Sequence, residues 1–483
     1  MTQVPTASTA RPRTLRFRAA LAAAKAAQGA LRLMHRKGGQ LPGVVAEKVC
    51  PDFMARIGKP ARCVFISGTN GKTTTTNLVD DILMDNGYDP VTNRAGGNIA
   101  SGIESALIAD ARPSGLPRRD FAVMELDELS CRTVLPYVAP ELMLVTNLYQ
   151  DNIMRDANPD YIFGVMSAHV SAGTHMVLNG DDLISCRMAP QAGKRTYFSL
   201  GKMRVAGAGD GGPFARLAAC PECGGKLEYS SHTLLHQGQA RCLSCGFTNP
   251  EPDYEVMAID EAASTFTVRE NHHAAADGVA PEQTYRIGTY SVPNLYNVLA
   301  AVALLRELGL PAADIARSLE SGINITSLRY TAETVGGKDL VRLAAKSYNG
   351  PGASASLNAL RERPGKKALV TVFNDLPARD ADKTQFNGWY YLVDGAAFTA
   401  PDIEQVIIIA HPEEAVNGRA LELRLLLAGV DPAKITVATS PEEAADAVDL
   451  ERVDGVYATF DVFNGAVART CMDRVHQRIE EGC

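Results

Sequence analysis

The chain has 483 residues, of which 46% are hydrophobic and 21% are charged, and this composition is typical of a globular protein with more than one domain. With 48 basic and 55 acidic residues the formal charge is −7, which argues against a broad nucleic-acid-binding surface, because such surfaces are basic. No apolar run approaches the roughly 20 residues that a membrane span needs, which argues against a transmembrane protein.

The first predicted element is an amphipathic helix from about Arg13 to His35, rich in alanine and basic residues. Its charges recur along the whole segment, and no continuous apolar stretch precedes a cleavage site, so the pattern is not that of a targeting peptide. Two interpretations stay open. The helix packs on the following domain, or its basic face contacts an anionic membrane surface. We therefore expect a cytoplasmic protein, with peripheral contact at the inner face of the plasma membrane as a further expectation.

A glycine-rich loop with the sequence ISGTNGKTTTT follows a predicted strand and precedes a predicted helix. In that context the backbone N–H groups of residues 68–72 are expected to surround the β- and γ-phosphates of a nucleotide at the positive end of the helix dipole. Lys72 would neutralise phosphate charge, and the hydroxyl of Thr73 would bind Mg²⁺. Position 66 holds Ile66 where the general pattern has glycine, so the loop is a shortened form.

Further apolar runs at 121–126, 142–148 and 174–180 alternate with helical stretches. This alternation predicts an α/β fold with a parallel, doubly wound sheet. Glu125 stands at the end of the first run, where strand ends face the ligand crevice of such a sheet. A carboxylate at that place is suited to bind Mg²⁺, whereas a helix cap or a surface acidic cluster is the alternative interpretation.

Two Cys-x-x-Cys pairs are separated by eighteen residues, and a glycine follows each pair. Four thiolates at this spacing predict a tetrahedral zinc site, and a closed site of four thiolates has a structural role because it leaves no position for substrate. The predicted zinc ligands are Cys220, Cys223, Cys242 and Cys245. The other six cysteines are scattered and no secretion signal accompanies them, which indicates a reducing cytoplasm and single buried thiols.

Two alternatives for the cysteine segment stay open. His232 or His236 could replace one thiol as a ligand. The segment could also be a zinc ribbon that binds nucleic acid, but Lys226 and Arg241 are nearly its only basic residues, so we do not expect a nucleic-acid partner.

Beyond the cysteines, two hairpin strands and a helix at 294–309 are predicted, and a second βα pattern begins near Leu340. Its apolar runs at 368–375, 405–410, 434–439 and 455–460 indicate a second α/β domain. The expected divisions are an N-terminal helix and linker (1–45), a central domain (46–325) with the cysteine insertion at about 207–255, and a C-terminal domain (326–483).

The order of these motifs resembles the Mur ligase family, which includes folylpolyglutamate synthases: G-T-N-G-K-T-T-T, E-L-D-E, T-N-L-x-x-D, N-x-D-D and N-x-x-N-x-x-A-A, then the segment TSLRYTAE. The resemblance implies a P-loop Mur ligase central domain with an inserted zinc ribbon and a Rossmann-like C-terminal domain. It implies that Lys72 and Glu125 are catalytic, with Glu125 and Thr73 on Mg²⁺. The nucleotide contacts that it implies are Gly68, Thr69, Asn70, Gly71, Lys72, Thr73, Thr74, Asn297 and Arg329.

Within that family the zinc insertion, the basic N-terminal helix and the segments TNRAGGNIASGI and GRALELRLLLAG are similar to MurT-type subunits. This likeness implies ATP-dependent amidation of the D-glutamate α-carboxylate of the lipid II stem peptide through an acyl phosphate. The ammonia would come from a GatD-type glutamine amidotransferase partner, because no cysteine of this chain lies in a nucleophile turn. The runner-up function is a stand-alone Mur or folylpolyglutamate-type amino-acid ligase, and a nucleotide-binding zinc module for nucleic acid is the third hypothesis.

The likeness to MurT-type subunits further implies that this chain lends an aspartate to the Cys–His pair of the glutaminase. The corresponding segment here is NDLPARDADKTQFNGWYYLVD, and ungapped matching from Asn374 places that catalytic aspartate at Asp382. Asp380 and Asp375 are the alternatives, and a solvated acidic loop is the interpretation without function. An acidic group at that position would orient the histidine and stabilise its charged form.

Overall fold

The structure of the protein is a computed structural model, which describes residues 11–34, 39–150, 158–203, 217–272, 281–288, 290–323, 330–345, 349–361, 363–372, 392–410, 415–461 and 464–482. It contains one sheet of eight strands, one of six and one of two, with helices along the two large sheets. The predicted α/β class is confirmed. Within the described ranges, no helix has both the length and the apolar character that crossing a bilayer requires.

The eight-stranded sheet forms the central part of the chain, with the strand order β10-β9-β8-β5-β4-β3-β1-β2. The six strands from β2 to β8 in that order run parallel, and β9 and β10 add an antiparallel edge. The strands are β1 Arg62–Ser67, β2 Phe121–Glu125, β3 Leu142–Val145, β4 His175–Asn179, β5 Lys194–Ser199, β8 Tyr254–Asp260, β9 Thr265–Glu270 and β10 Glu282–Arg286.

Helices cover both faces of this sheet, which explains why its central strands are apolar on both sides. Along β1, Phe65 enters one core while Val64 and Ile66 enter the other. The helices of this part are α1 Leu15–Leu33, α2 Leu41–Val49, α3 Lys72–Asp85, α4 Ala100–Asp110, α5 Cys131–Val134, α6 Pro159–His169, α7 Val292–Glu307 and α8 Ala312–Glu320.

The predicted N-terminal helix is present as α1, which begins after its cap Thr14. Its inner face packs against α2 and the turn behind it, where the rings of Phe17 and Phe53 stack with centroids 5.0 Å apart. The packing interpretation is therefore confirmed for this face. The opposite face is open, because Leu15 is 83% and Leu33 is 84% exposed.

The six-stranded sheet lies in the C-terminal part, with the order β11-β12-β16-β13-β14-β15. The βα pattern predicted to begin near Leu340 starts with β12, which contains this residue. The antiparallel edge strand β11 before it was not predicted, because its exposed residues give no apolar run. Its elements are β11 Tyr330–Val335, β12 Lys338–Ala345, α9 Gly350–Arg361, β13 Lys367–Val372, β14 Ile403–Ile409, α10 Ala415–Leu427, β15 Ile435–Ala438, α11 Pro441–Asp446, β16 Gly455–Asp461 and α12 Gly465–Glu480.

The cysteine segment carries the two-stranded antiparallel sheet, formed by β6 (Leu227–Leu234) and β7 (Gln237–Cys242). We call residues 217–249 the ribbon. It lies in the chain between β5 and β8, which are parallel neighbours in the eight-stranded sheet. The expected domain boundaries at 45/46 and 325/326 stay a prediction.

Candidate functional site

The glycine loop connects β1 to α3, and its backbone has a positive φ angle, which favours glycine, at two positions. Gly68 and Gly71 have φ values of 125° and 84°. A Cβ atom on Gly68 would lie 2.3 Å from Oγ1 of Thr146, and one on Gly71 would lie 2.1 Å from Oδ1 of Asn297. Both glycines therefore provide conformation and space at once, as a loop that wraps phosphates with its backbone requires.

The segment that follows β3 holds this loop in place. The N–H of Thr69 donates to the carbonyl oxygen of Asn147 at 2.8 Å, and the N–H of Asn70 donates to Oδ1 of the same asparagine at 3.1 Å. The hydroxyl of Thr146 donates to the carbonyl oxygen of Asn70 at 2.6 Å, and the N–H of Tyr149 donates to Oγ1 of Thr69 at 3.0 Å. The T-N-L motif thus fixes the position of the loop through these hydrogen bonds.

Lys72 is the first residue of α3 and forms a buried ion pair. Its ammonium nitrogen lies 3.0 Å from both carboxylate oxygens of Glu128. Only 8% of the lysine side chain and 2% of the glutamate side chain are exposed. The ion pair holds the ammonium group of Lys72 at the N-terminus of α3, where phosphate is expected.

Thr73 and Glu125 line one cavity of about 260 Å³. Oε1 of Glu125 accepts a hydrogen bond of 2.7 Å from the side-chain amide of Asn98, and the backbone of Glu125 is held by Asn93 through two further bonds. A hydroxyl and a fixed carboxylate on one cavity are the oxygen ligands that Mg²⁺ prefers. The two residues predicted to bind magnesium therefore fit the ion.

The other predicted nucleotide contacts are placed in part. Thr74 is partly exposed in the first turn of α3. Asn297 is buried in the first turns of α7, with its amide oxygen under Gly71 and 3.5 Å from Oγ1 of Thr75. The helix cap of α7 is Ser291, not an asparagine. Outside the described residues lie Arg329, Asp375, Asp380 and Asp382, together with Asp151 and Asn152 of the T-N-L-x-x-D motif.

The four predicted zinc ligands meet at one point of the ribbon. All four sulfur atoms lie within 4.8 Å of one another. The Sγ atoms of Cys220 and Cys245 are 3.8 Å apart, and those of Cys223 and Cys242 are 3.5 Å apart. Tetrahedral zinc with bonds of about 2.3 Å requires S–S distances near 3.8 Å, so the cluster has the size of a zinc site.

In both Cys-x-x-Cys pairs, backbone N–H groups point at the sulfur atoms, as expected for thiolates. The N–H of Gly225 donates to Sγ of Cys223 at 3.4 Å. The N–H groups of Cys245 and Ser244 donate to Sγ of Cys242, and they lower the pKa of that thiol to about 6. The donor set therefore fits a structural zinc ion.

Neither histidine of the ribbon belongs to the thiol cluster, so the alternative of a histidine ligand is not supported. The ring of His232 stacks on Tyr229, with centroids 4.1 Å apart. His236 lies at the other end of the hairpin, where its Nε2 is 3.0 Å from Oδ1 of Asp182 in the N-x-D-D motif. Burial raises the pKa of Asp182, but His236 and a backbone N–H outweigh it, and the pKa lies below its ordinary value.

The scattered cysteines that the structure describes are buried, as predicted: Cys50, Cys63, Cys131, Cys186 and Cys471. Burial raises the pKa of the Cys63 and Cys471 thiols to about 12. Thiols of this kind are poor nucleophiles.

Sequence reasoning missed three functional relationships in the site. Glu128 entered the sequence analysis only as the last residue of the E-L-D-E motif, and not as the partner of Lys72. Sequence reasoning quoted the segment that contains Asn98 without assigning the amide to Glu125. It treated the ribbon as a self-contained insertion, although His236 and Asp182 meet across 54 positions of sequence. The polar residues at the strand ends were the available signal for the first two.

Curated proteins similar to this chain include lipid II isoglutaminyl synthase subunits and, over shorter stretches, ligases such as the UDP-N-acetylmuramate--L-alanine ligase of Desulfotalea psychrophila. The chain is 30% identical over 410 residues to the lipid II isoglutaminyl synthase (glutamine-hydrolyzing) subunit MurT of Staphylococcus aureus, covering 84% of this chain and 87% of that protein. It is 27% identical over 424 residues to the subunit of the same name from Streptococcus pneumoniae, covering 86% and 87%. No family model matches the chain.

Solved structures extend the likeness to the fold. A pseudomurein peptide ligase type C from Methanothermus fervidus superimposes with a TM-score of 0.63 at 18% identity, covering 88% of this chain and 81% of that one. A MurF ligase from Thermotoga maritima in complex with ADP gives 0.54 at 15% identity, covering 92% and 85%. At these identities the comparison concerns the fold alone.

Proposed function

The chain belongs to the MurT family of Mur-type ligases, and from this premise we propose that it is the ligase subunit of a two-component enzyme that amidates lipid II. The substrate would be the α-carboxylate of D-glutamate in the stem peptide, and the product D-isoglutamine. The observation that carries the proposal is that Lys72, Thr73 and Glu125 gather at one end of the parallel sheet, on and beside one cavity. This end is where ligands bind in α/β folds.

The proposed reaction has two steps. A carboxylate oxygen of the substrate attacks the γ-phosphorus of ATP, the bond from that phosphorus to the β–γ bridging oxygen breaks, and ADP leaves. Ammonia then attacks the acyl carbon, phosphate leaves, and the nitrogen loses a proton to water. Backbone N–H groups of residues 68–72 and the ammonium of Lys72 would hold the phosphates, and the positive φ angles of Gly68 and Gly71 support this role of the loop.

Thr73 and Glu125 would hold Mg²⁺, which supplies charge neutralisation at the transferred phosphoryl group when bound. Asn98 orients the glutamate carboxylate through its hydrogen bond to Oε1, so that little rearrangement would be needed to present the carboxylate oxygens to the ion. Asn297 would contact the base and Arg329 the ribose or a phosphate. The ribbon cysteines would hold zinc with a structural role only.

The ammonia source would be a GatD-type glutaminase bound to this chain, with Asp382 completing its Cys–His pair. The test is co-expression with a candidate glutaminase, followed by assays of purified lipid II with ATP and either glutamine or ammonium. We expect a stable pair and amidation with both nitrogen sources. If no pair forms and free amino acids are ligated instead, the chain is a stand-alone amino-acid ligase.

The role of Asp382 has its own test in the same assay. In the pair, Asp382→Asn should abolish glutamine-dependent amidation and leave ammonium-dependent amidation unchanged, because only glutamine hydrolysis needs the oriented histidine. Asp380→Asn and Asp375→Asn are the matched controls. Should one of these show the split instead, the assignment moves to that residue.

The open face of α1 supports a second part of the proposal, peripheral contact with the membrane that holds lipid II. Exposed Arg18 and Arg32 flank the exposed Leu15 and Leu33 on this helix. Such a face combines attraction to anionic headgroups with apolar contact. Cosedimentation with vesicles of anionic phospholipid is expected, and Arg18→Glu with Arg32→Glu should abolish it. Equal binding to zwitterionic vesicles would contradict the electrostatic part.

A further inference from the structure

The turn of the ribbon hairpin is buried in the central part of the chain, away from the thiol cluster at the other end. Thr233 and His236 are 0% exposed and Gln237 is 2% exposed, whereas Cys223 and Cys245 at the thiol end are exposed. Residues of a hairpin turn are usually solvated. This turn is instead part of the core around the N-x-D-D motif.

His236 makes the central contacts of this turn. Its Nε2 donates to Oδ1 of Asp182 at 3.0 Å, since an ionised carboxylate only accepts, and both side chains are fully buried. Its ring stacks on the ring of Tyr149, with centroids 4.2 Å apart and planes 12° apart. One ribbon residue therefore contacts both the N-x-D-D motif and the segment after β3.

Two short connections lead from His236 to the segment after β3, and one of them continues to the glycine loop. Oδ2 of Asp182 accepts a hydrogen bond of 2.6 Å from the N–H of Leu148, and the N–H of the stacked Tyr149 donates to Oγ1 of Thr69 at 3.0 Å. In return the side chain of Thr69 donates to the carbonyl oxygen of Tyr149 at 3.2 Å. The ribbon is thus two contacts away from the phosphate-binding backbone.

A second set of contacts joins the ribbon to α7. The hydroxyls of Thr233 and Tyr296 are 2.6 Å apart, and the hydroxyl of Tyr296 donates to Oδ2 of Asp181 at 2.8 Å. The side-chain amide of Gln239 donates to the other oxygen of Asp181 at 2.6 Å. Tyr296 is next to Asn297, whose amide lies under Gly71. The segment after β3 and the first turns of α7 both contact the glycine loop, and both are therefore also in contact with the ribbon.

We propose that His236 is a positioning residue for the nucleotide site, and that zinc in the ribbon and nucleotide in the glycine loop stabilise each other's binding. The physical reason is that His236 sits in a hairpin whose ends the four thiols would fix. Loss of that hairpin removes the histidine donor of the buried Asp182, which keeps the backbone N–H groups of Leu148 and Ile184, and it removes the stacking partner of Tyr149. Coupling of two binding sites acts equally in both directions. The inference depends on the proposed binding of nucleotide to residues 68–73.

Two variants of the full-length chain separate the contacts of His236. His236→Phe keeps the ring on Tyr149 and removes the donor to Asp182, whereas His236→Gln keeps a donor and removes the ring. The matched control is His232→Phe, which changes the same residue type in the same hairpin but on the ring that stacks with Tyr229. Zinc content and thermal unfolding are measured for each variant, with dissociation constants for a fluorescent ATP analogue.

We expect His236→Phe to bind one zinc per chain and to lose at least tenfold in nucleotide affinity. His236→Gln should lose less than His236→Phe, and His232→Phe should match the parent. Unchanged affinity in His236→Phe would overturn the role of the histidine. A general loss of folding would instead appear as lost zinc and a lowered unfolding temperature, and the test then rests on the parent protein alone.

That second test measures zinc release from the parent protein with a coloured chelator. Saturating ATP with Mg²⁺ should slow the release at least several-fold, and chelated protein should regain nucleotide affinity when zinc is restored. Lys72→Met is the reference. If Lys72→Met binds nucleotide like the parent, the proposed function fails. If it loses binding while ATP leaves zinc release from the parent unchanged, only the coupling is wrong.

Discussion

The ammonium nitrogen of Lys72 lies 3.0 Å from each carboxylate oxygen of Glu128, in an ion pair that is almost fully buried. Such a pair is costly to break from one side, because the remaining charge stays buried without its counter-ion. We therefore expect Lys72→Met to have two separable effects. It should lower the amidation rate at least 100-fold, a loss on the scale seen when a charge-stabilising donor is removed, and destabilise the fold by about 3–5 kcal/mol.

The double variant Lys72→Met with Glu128→Gln separates these effects. Replacing both charges by neutral groups of similar size should restore most of the free energy of unfolding that Lys72→Met loses, while the amidation rate stays low. Denaturant unfolding and steady-state assays measure the two quantities. A double variant that recovers activity would show that Lys72 acts only through the stability of the fold.

Glu125 is expected to determine the requirement for magnesium. Glu125→Gln keeps the size of the side chain and its contact with Asn98 but removes the negative charge that faces the cavity with Thr73. The Mg²⁺ concentration for half-maximal activity should rise at least tenfold, because a carboxylate is the stronger ligand. Asn98→Ala, which leaves the charge, should have a smaller effect. An unchanged magnesium titration in Glu125→Gln would exclude the glutamate as a ligand.

Gly71 and Gly87 form a natural pair for testing the loop, since α3 lies between them and both have positive φ, 84° and 83°. Alanine at either site should cost about 1 kcal/mol of stability for its left-handed backbone. Only at Gly71 would the new Cβ displace the amide of Asn297, while nothing lies within 4 Å at Gly87. Nucleotide affinity should fall in Gly71→Ala and stay unchanged in Gly87→Ala, as isothermal titration would measure. Equal nucleotide affinities of the two variants would show that the position of the Asn297 amide does not affect nucleotide binding.

Asp80 in α3 makes the stability of the protein depend on pH. Its side chain is fully buried, neither carboxylate oxygen has a hydrogen-bond partner within the described part of the chain, and burial raises its pKa to about 8. Below about pH 4 the carboxyl group is protonated in both the folded and the unfolded state, so its ionisation does not lower the stability of the protein. Between about pH 4 and 8 the unfolded state alone gives up its proton, so the stability falls as the pH rises.

Asp80→Asn removes that titration and should raise the unfolding temperature at pH 8.5 much more than at pH 5. The control Asp81→Asn changes the neighbouring residue, which pairs with Arg94 at the partly exposed surface. It should leave the pH dependence of the parent intact. If Asp80→Asn follows the parent at both pH values, the carboxylate is solvated in solution.

The motifs at strand ends could be predicted from sequence because their chemistry is local. A glycine loop between a strand and a helix, or a carboxylate after an apolar run, is recognisable within about ten residues. Parallel pairing then brings the ends of β1 and β2 together without further information, as the register of Ile66 and Glu125 shows. The zinc ligands were equally predictable, since each Cys-x-x-Cys pair lies in one short turn.

Contacts between distant segments could not be predicted in this way. Nothing in the spacing of His236 and Asp182 distinguishes a hairpin that docks on the core from one that projects into solvent. The partner of Lys72 had two acidic candidates, and only the turn after β2 decides between Asp127 and Glu128. The strand β11 was missed because its residues are mostly exposed, so the alternation of apolar and polar residues was lost.

The place of the ribbon in the strand order limits how this chain could be shortened. β5 and β8 run side by side in the same direction, so the polypeptide must travel back along the sheet between them. A direct splice of residue 200 to residue 253 would leave no residues for that return, and β8 would reverse or leave the sheet. A minimised enzyme would therefore need a substitute crossover of about a dozen residues, such as a helix, in place of the excised segment.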